Sequence, residues 1–389
     1  MNENYNIEII DTPEKFQALR GGWGALLDNS HSDTVFLTWE WLYAWWQVYG
    51  GNKELYTLAL RNENGLLQGI APLYIKSTKI LGIIYMAELK MLGCGGGVTS
   101  EYLDFICAKG EERQVMQAFW DFLVYRERKW HMLAIFDLAK PSLNISCLID
   151  IFNNTKTTYL ITEKKPFCPI VQLPSSWDKY IKSLPKNMQI NIKRGRRKIE
   201  KHFKELNIRK SNDAFISDAE FEKFIKLHSL RRVQKNTFSR FSDNKYKEFY
   251  KQIRALFGEK KWMYLFFLNL DGNDVAAKCG FSYKDIYYFY QSGLNPKFVK
   301  YGVGQLLMGY ILEYAINNGI KVCDMLRGEE LHKMRWSNDV RIKQNIVAST
   351  NIKGIILIEC LRLKICLFRF TKLLLPAKIK ASINKVFYQ

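Results

Sequence analysis

The chain has 389 residues, enough for one to three domains, and its 48% hydrophobic and 14% aromatic residues are ample for a large core. The net charge of +20 and the pI near 9.4 favour anionic partners, whether phosphates, nucleic acid or an anionic membrane surface. The eight cysteines form no CxxC pair and the five histidines show no ligand spacing, so we expect reduced thiols and no metal site, and no secretory signal is visible.

The first predicted elements are a strand over residues 5–10, a helix that begins near Pro13 and a second helix over residues 36–50. Thr38 precedes the second helix as its capping residue. An apolar, mostly aromatic stripe lies at helical spacing on this helix: Trp41, Leu42, Trp45 and Trp46. Such a stripe is usually core, and a platform for a ligand stays open as the alternative.

A β-hairpin is predicted over residues 55–76, because two apolar runs flank a turn at residues 62–65. The glycine cluster at residues 93–97 carries no lysine, and we interpret it as a turn or the edge of a cleft. The remaining predicted elements of the first half are a strand over Tyr102–Cys107, a helix over Glu111–Arg128 and a strand over His131–Leu138.

A connecting stretch, residues 141–170, leads to a predicted basic helix over residues 186–204. One stripe of this helix is apolar: Met188, Ile192, Ile199 and Phe203. The rest of its surface is basic: Lys193, Arg194, Arg196, Arg197, Lys198, Lys201 and Lys204. Two interpretations stay open, a solvated charged face and a surface that binds an anion.

Residues 214–257 are predicted to form two helices, and residues 262–283 a hairpin that turns at residues 271–274. This hairpin is similar to the one over residues 55–76 in the length of its apolar runs and in its glycine-containing turn. In each half the hairpin precedes a strand, a helix and a strand. The recurrence predicts two structurally similar halves in tandem.

Residues 287–336 are predicted to form a strand, a glycine-led helix and a second strand, in that order. Gly302 and Gly304 open the helix. The predicted boundaries are a first strand over Tyr287–Tyr290, turns at residues 291–293 and 295–296, a helix stop at residues 317–319 and a second apolar run over Ile320–Leu326.

The start of this helix is suited to binding an anion. The first N–H groups of a helix have no partner within it, the helix dipole places partial positive charge there, and glycines let a phosphate approach the backbone closely. Open α/β sheets bind ligands where adjacent strands end, and polar residues follow the second strand. These residues are Asp324, Arg327, Glu329 and Glu330. A tight turn into a packed helix is the alternative interpretation.

Several segments resemble the GNAT acyltransferase superfamily, and more closely its tandem-GNAT group, which includes the CelD-like (BioF2-like) acetyltransferases and the FemAB-type peptidyl transferases. The segments are FLTWEWLYAWW, the hairpin that ends in GIAPLYI, SLPKNMQINIKRGRRKIEK, VAAKCGFSYKDIYYFYQSGLNP and YGVGQLLMGYILEYAINNGIKVCDMLRGEELHKMRW. The resemblance covers residues 5–345. It implies an α/β (α+β) fold of two tandem GNAT-like domains, 1–165 and 166–350, each a mixed sheet flanked by helices, with an amphipathic helical tail over residues 351–389.

The resemblance also implies an acyl-CoA donor, with acetyl-CoA as the first candidate, and no metal. The positions that match the family's donor loop and the strand before it are Gln291, Ser292, Gly302, Val303, Gly304 and Gln305. The family loop usually carries Gln or Arg where this chain has Val299. Lys297 and Lys300 can supply positive charge there instead.

Acyl transfer to an amine or hydroxyl requires that the nucleophile lose a proton and that donors stabilise the tetrahedral intermediate. We predict Asp324 or Glu329 as the base and Tyr290 or a backbone N–H as the donor to the oxyanion. An anionic sugar or lipid-linked acceptor is predicted to contact Arg231, Arg327, Lys333, Arg335 and Trp336. The alternatives are an ion pair or cap for Asp324, ordinary loop charge for Glu329 and packing for Trp336.

Residues 353–389 have no counterpart in a second GNAT unit and are both apolar and basic. Charged residues interrupt the apolar run, so a bilayer-spanning helix is not expected. On a helical wheel one arc collects Glu359, Arg362, Arg369 and Lys372. The tail is therefore predicted to lie on an anionic membrane surface, and packing on the domain or on another subunit is the alternative.

The leading hypothesis is a cytoplasmic, acetyl-CoA-dependent N- or O-acetyltransferase with peripheral contact to the inner face of the membrane. It would acylate a sugar-containing precursor in exopolysaccharide or cell-envelope glycan biosynthesis. The second hypothesis is a FemAB-like transferase that moves an aminoacyl group from tRNA to a peptidoglycan precursor, with the basic helix at residues 186–204 on tRNA phosphates. The third is a non-catalytic scaffold with a GNAT fold at the membrane surface.

Overall fold

The computed structural model describes residues 5–80, 84–127, 129–211, 216–234 and 237–374, and the side chains among them except those at 80, 84, 164–166 and 367–374. The chain divides into two compact units. The first comprises Met1–Cys94, Thr99–Lys165 and Ile342–Gln389, and the second Gly95–Val98 and Pro166–Arg341. The predicted ranges 1–165, 166–350 and 351–389 place residues 342–350 differently, and as functional domains they stay a prediction.

Among its described residues before residue 158, the first unit contains eight strands and five α-helices. The strands are β1 (Tyr5–Ile10), β2 (Glu54–Leu55), β3 (Thr57–Asn62), β4 (Leu67–Ala71), β5 (Leu73–Ile80), β6 (Ile84–Met91), β7 (Ile106–Cys107) and β8 (Met132–Lys140). The helices are α1 (Pro13–Ala18), α2 (Arg20–Asp28), α3 (Trp39–Tyr49), α4 (Glu112–Asp121) and α5 (Leu143–Asn154), with a 3₁₀ turn at Val35–Leu37 and a π-helical turn at Phe122–Arg126.

Two sheets organise the first unit. One is antiparallel with the order β1-β3-β4-β7. In the other, β2, β5 and β6 pair antiparallel, and β6 pairs parallel with β8. β8 then pairs antiparallel with residues 342–348 of the strand β15 (Asp339–Ser349). Within this unit, the aromatic stripe of α3 packs as predicted for core residues, since Trp41 and Trp45 are fully buried.

The predicted strand over Tyr102–Cys107 is wrong in length, because only Ile106 and Cys107 form a strand and Leu103 makes an isolated bridge with Leu138. Tyr102 has φ +58°, in the left-handed region, which interrupts an extended chain. Neither β6 nor α5 was predicted, although the glycine cluster at residues 93–97 follows β6, and Pro141 and the N-cap residue Ser142 precede α5.

In the part of the second unit that the structure describes there are five strands and six α-helices, and the unit also includes the end of β9 (Thr158–Gln172). The strands are β10 (Leu206–Lys210), β11 (Met263–Leu270), β12 (Asn273–Tyr283), β13 (Ile286–Leu294) and β14 (Val322–Asp324). The helices are α6 (Trp177–Ser183), α7 (Lys186–His202), α8 (Asp218–Gln234), α9 (Asn244–Lys260), α10 (Val303–Asn317) and α11 (Leu331–Met334), with 3₁₀ turns at Arg240–Ser242 and Pro296–Tyr301.

The sheet of the second unit has the order β10-β11-β12-β13-β14-β9. Adjacent strands in this sheet are antiparallel, except β13 and β14, which are parallel and are joined through α10. The apolar side of α10 packs on this sheet beside the apolar stripe of α7. Strand, glycine-led helix and strand therefore form the unit that the sequence predicted.

Two predicted boundaries in this region are wrong. Residues 291–293 are not a turn, because β13 continues to Leu294 and pairs with β12 as far as Ala276. The second strand is only Val322–Asp324 rather than Ile320–Leu326, since Leu326 has φ +54° and leaves the extended region.

The C-terminal helix α12 (Ile352–Leu374) begins on the first unit. Ile358 is fully buried with residues of β8, and a side chain on Gly354 would meet the His131 carbonyl oxygen at 2.1 Å. This part of the tail therefore packs on the domain, the alternative interpretation. The side chains of Arg369 and Lys372, and all of residues 375–389, lie outside the described residues.

Three further observations concern the described parts of the chain. No helix there combines the length and the apolar composition that a bilayer crossing requires. No group of three or more metal-binding side chains comes together within them. The eight cysteines are free thiols, of which Cys107, Cys168, Cys279 and Cys323 are buried.

Candidate functional site

A cavity of about 250 Å³ opens at the N-terminal end of α10, within the second unit. Strands β12 and β13 form its floor, and α7, α8, α10 and α11 contribute its walls. The lining residues are Met188, Arg231, Ala276, Lys278, Phe289, Ser292, Gly293, Leu294, Val299, Gly302, Gly304, Gln305, Met308, Met325, His332, Lys333, Arg335 and Trp336. The cavity thus combines an apolar floor with a set of basic side chains.

Gly302 is the N-cap residue of α10 and has φ +74°, a conformation that favours glycine. Val303 and Gly304 are the first two residues of the helix, so their N–H groups have no intrahelical acceptor. A Cβ atom on Gly304 would have its nearest contact at 3.6 Å, with Leu294. The backbone is therefore open to a ligand at the point where the helix dipole is positive.

Four basic side chains line the cavity: Arg231, Lys278, Lys333 and Arg335. None of the described lining residues is acidic. Lys333 is anchored, since its Nζ donates to the carbonyl oxygen of Arg327 at 2.7 Å and lies 3.3 Å from Glu330 Oε2. Together with the start of α10, this charge suits an anionic ligand.

Burial determines the protonation of two further groups in the cavity. Lys278 is 6% exposed, and burial lowers its pKa well below the ordinary value, with Arg231 and Lys333 adding to the effect. His332 lies at the solvent side of the cavity, and partial burial followed by the charge of Lys278 lowers its pKa to about 4. His332 is therefore neutral at pH 7.

A β-bulge in β13 decides which of its side chains enter the cavity. Cys279 pairs with Gln291 and Gly280 with Phe289, so Tyr290 is the extra residue. Side chains alternate along a strand, and the bulge shifts this alternation by one position. Phe289 before the bulge and Ser292 after it therefore both line the cavity. Lys278 lies directly opposite Ser292 on β12.

Helix α8 carries Arg231 to the cavity, where its guanidinium donates a hydrogen bond to Ser292 Oγ. The helix lies so close to β13 that only a glycine fits at position 293. A Cβ atom there would be 2.3 Å from the backbone nitrogen of His228 and 2.5 Å from the carbonyl carbon of Leu227. Gly293 therefore determines the distance between α8 and the sheet.

We expect Gly293→Ala to destabilise the protein by about 1–3 kcal/mol, because the added methyl group must displace backbone atoms of α8. The displacement also moves Arg231 away from Ser292. Urea unfolding followed by circular dichroism measures the change in free energy. Gly304→Ala is the matched control, since its methyl group meets Leu294 at an ordinary 3.6 Å. Equal stability of the two variants would contradict the prediction.

Eight of the predicted site residues line the cavity: Ser292, Gly302, Gly304, Gln305, Arg231, Lys333, Arg335 and Trp336. Trp336 is also buried, and its backbone oxygen accepts a hydrogen bond from Tyr180 at 2.6 Å. Gln305 donates from its amide nitrogen to Met188 Sδ at 3.5 Å. The structure thus brings the predicted donor loop and most of the predicted acceptor contacts into one place.

Six predicted residues do not line the cavity: Tyr290, Gln291, Val303, Asp324, Arg327 and Glu329. Tyr290, at the bulge, packs its ring against Phe281 at 5.0 Å. Gln291 donates to the hydroxyl of Tyr246 at 3.3 Å on the same side of the sheet. Val303 is a fully buried core residue, so only its backbone faces the start of the helix. The carbonyl oxygen of Arg327 accepts from Lys333, which lines the cavity.

Asp324 and Glu329, the two residues predicted as the base, make contacts outside the cavity. Asp324 is fully buried, accepts a hydrogen bond from the Leu326 N–H at 2.8 Å, and lies 3.4 Å from the Arg341 guanidinium. Glu329 is exposed and accepts from the Phe167 N–H at 3.1 Å. These contacts match the alternative of an ion pair and cap for Asp324. Catalysis by either residue stays a prediction.

Sequence reasoning missed Lys278 and His332, the two titratable groups that burial affects most in this cavity. The available signal for Lys278 is a single lysine in VAAKCGF, an otherwise apolar run on a central strand. His332 has no comparable signal, because it lies in a polar loop among other charged residues.

His228 lies one helical turn before Arg231 on α8. We expect it to make the stability of the protein depend on pH. It is 2% exposed, its Nδ1 lies 3.0 Å from Ser239 Oγ, and burial, then Arg232 and Arg231, lower its pKa to about 4. The folded state therefore favours the neutral ring. The resulting stability is complete above the unfolded pKa near 6.5 and is lost as the pH falls towards 4, by about 3 kcal/mol.

Melting temperatures at pH 7 and pH 4.5 test this contribution in wild type and in His228→Gln, whose side chain does not titrate. We expect a smaller acid-induced fall in the variant. Asp104 has its pKa raised to about 6 by burial and acts in the opposite direction, but it is unchanged between the two proteins. An equal fall in both would contradict the assignment.

Residues 186–334 match the family model of the acetyltransferase (GNAT) domain. This range contains every residue that lines the cavity except Arg335 and Trp336. The second unit therefore contains a segment similar to the GNAT domain, a fold of acyltransferase-type enzymes. No curated protein matches the sequence significantly.

Solved structures share the fold over most of the length of the chain. A crystal structure of FemX shares 10% identity, with a TM-score of 0.59 over 88% of this chain and 96% of FemX. The C-terminal domain of a putative lysylphosphatidylglycerol synthetase from Agrobacterium fabrum shares 8%, with a TM-score of 0.53 over 90% and 95% of the two chains. L-PGS from Bacillus licheniformis shares 12%, with a TM-score of 0.51 over 91% and 96%. The predicted α/β fold and the resemblance to the FemAB-related tandem-GNAT group are confirmed.

Proposed function

We propose that the protein transfers an acyl group from acyl-CoA, with acetyl-CoA as the first candidate, to an amine or hydroxyl of an acceptor. The observation that carries the proposal is the start of α10. The N–H groups of Val303 and Gly304 lie at the same cavity as the cationic side chains of Arg231, Lys333 and Arg335. A diphosphate is the part of CoA that such a site would bind.

The acceptor in this proposal is an anionic, sugar-containing precursor of an exopolysaccharide or another envelope glycan. Arg231, Lys333 and Arg335 provide the positive charge for it within the same cavity. Trp336 offers an apolar wall for a sugar ring. A cytoplasmic enzyme with peripheral contact to the inner membrane face is part of the same proposal.

A second candidate is aminoacyl transfer from tRNA, and the surface of α7 favours it. Lys193, Arg194, Arg196 and Arg197 are exposed or half-buried on this helix. Lys198 Nζ donates to the carbonyl oxygen of Lys300 at 2.8 Å, two residues before Gly302. The basic surface is thus continuous with the start of α10 and could bind the phosphates of a nucleic acid.

Binding measurements separate the candidates. Under the first, 1 mM acetyl-CoA raises the melting temperature by a few degrees, because a ligand at 100 times its Kd adds about 2.7 kcal/mol of stability. Under the second, charged tRNA binds with an affinity that falls steeply between 50 and 200 mM salt, and acetyl-CoA has no effect. Binding of neither, with binding to anionic vesicles, would favour a non-catalytic scaffold and would overturn both.

A further inference from the structure

We propose that Lys278 is a catalytic residue that takes the proton from the attacking amine or hydroxyl of the acceptor. This inference rests on the proposed acyl transfer. It places the base on β12 inside the cavity, whereas the sequence prediction was Asp324 or Glu329, at the end of β14 or in the loop after it. The reaction needs a group that is unprotonated at neutral pH and lies within hydrogen-bonding reach of the nucleophile's proton, beside the acyl carbon.

The position of Lys278 satisfies the requirement for reach. Its Nζ atom lies 4.0 Å from the centre of the Phe289 ring, and its strand position faces Ser292. Leu294, five residues beyond Phe289, contacts the Gly304 position at the start of α10. The partners on β12 are Ala276 opposite Leu294 and Gly280 opposite Phe289, so four residues at about 3.3 Å each separate the two ends of the cavity by about 13 Å. This separation is comparable to the pantetheine arm, so a donor with its diphosphate at α10 brings its thioester to Lys278.

The surroundings of Lys278 satisfy the requirement for an uncharged amine. Arg231 from α8 and Lys333 from the α11 segment face it with like charge, and His332 beside them is neutral at pH 7. Cys323 on β14 is the remaining titratable group that acts on it, and burial keeps that thiol protonated. With the side chain only 6% exposed, water gives the charged form little support.

The proton balance closes without another reactant. The nucleophile's lone pair forms a bond to the thioester carbon as its proton passes to the neutral amine of Lys278. The tetrahedral intermediate then expels the thiolate as the carbon–sulfur bond breaks. The ammonium group of Lys278 returns the proton to the thiolate, so the products are the acylated acceptor and free CoA. Ser292 and Arg231 lie beside Lys278 as donors for the oxyanion.

The first test measures protonation directly and needs no activity. Protein with ¹³Cε,¹⁵Nζ-labelled lysine is titrated by NMR, and the Lys278 signal is the one missing from Lys278→Arg. We expect this signal to titrate well below the surface lysines, which serve as internal references. A Lys278 signal that titrates together with them would overturn the proposal, whether or not the protein binds acetyl-CoA.

The second test separates a catalytic from a structural role. Lys278→Met should still show the melting-temperature rise with acetyl-CoA. It should release CoA to an amino-sugar acceptor at least about 100-fold more slowly, the usual contribution of a general base. Its own melting temperature should rise by a few degrees, because a buried amine is replaced by an apolar chain. Lys223→Met, on the exposed face of α8, is the matched control.

The pH dependence of the reaction rate is a further test of whether the role of Lys278 is catalytic or structural. The acidic limb of the wild-type rate should follow the NMR titration of Lys278 and should be absent from Lys278→Met. A lower melting temperature with an unchanged pH profile would assign Lys278 a structural role and overturn the proposal. If wild-type protein shows no response to acetyl-CoA, the proposed function fails, and the NMR titration still decides the state of Lys278.

Discussion

Gly304→Glu should abolish the stabilisation by acetyl-CoA while leaving the protein folded. Position 304 is the second residue of α10 and lines the cavity, so the new carboxylate occupies the place proposed for the diphosphate. The substitution adds both bulk and like charge there. We expect the affinity for acetyl-CoA to fall by at least about 100-fold, as calorimetric titration measures, since several charge-assisted hydrogen bonds are lost together.

The variant should not be less stable than the wild type. Replacing a helical glycine gains about 0.5–1 kcal/mol, an acidic residue is favourable in the first turn, and the Cβ atom has ordinary van der Waals space. Gly24→Glu in α2 is the matched control, because its added side chain meets no atom within 4 Å and lies in the other unit. If folded Gly304→Glu still binds acetyl-CoA, the start of α10 does not bind the diphosphate and the prediction is contradicted.

Lys343→Met should be the most destabilising substitution considered for this chain. Lys343 and Glu101 are fully buried in the first unit, and the lysine donates to Glu101 and, at 3.0 Å, to Asp137. Removing the cation leaves buried carboxylates without it, which costs about 3–5 kcal/mol. Urea unfolding should show this loss as a lower midpoint.

A double variant tests the cause of that loss. Lys343→Met combined with Glu101→Gln removes both charges, so it should be more stable than Lys343→Met alone. Lys15→Met, which breaks the exposed pair with Asp11, should leave the unfolding midpoint unchanged within error. If the double variant loses as much stability as Lys343→Met and Glu101→Gln lose together, the ion pair is not the source of the effect.

The strand, helix and strand around α10 could be predicted because each has a strong local signal. Gly302 and Gly304 begin the helix, and apolar residues recur at helical spacing up to Asn317. The turn at residues 62–65 is likewise stabilised by its own residues, since the Asn62 side chain accepts hydrogen bonds from two backbone N–H groups. Elements with such signals were found, and the family resemblance followed from them.

The interior of the site could not be predicted in the same way. The bulge at Tyr290 has no local signature, yet it determines that Phe289 and Ser292 face the cavity whereas Gln291 faces α9. Burial of Lys278 depends on the packing of α8 and α11, which contact β12 and β13 from distant parts of the sequence. Residues chosen for their place in a motif were therefore found at the site more often than residues chosen for their charge.

A crystal structure of the wild-type protein grown with acetyl-CoA tests the central claim most directly. We predict the diphosphate oxygens within hydrogen-bonding distance of the Val303 and Gly304 N–H groups, with the thioester beside Phe289 and Lys278. Donor bound elsewhere on the chain, or a cavity that stays unfilled at saturating acetyl-CoA, would contradict the account.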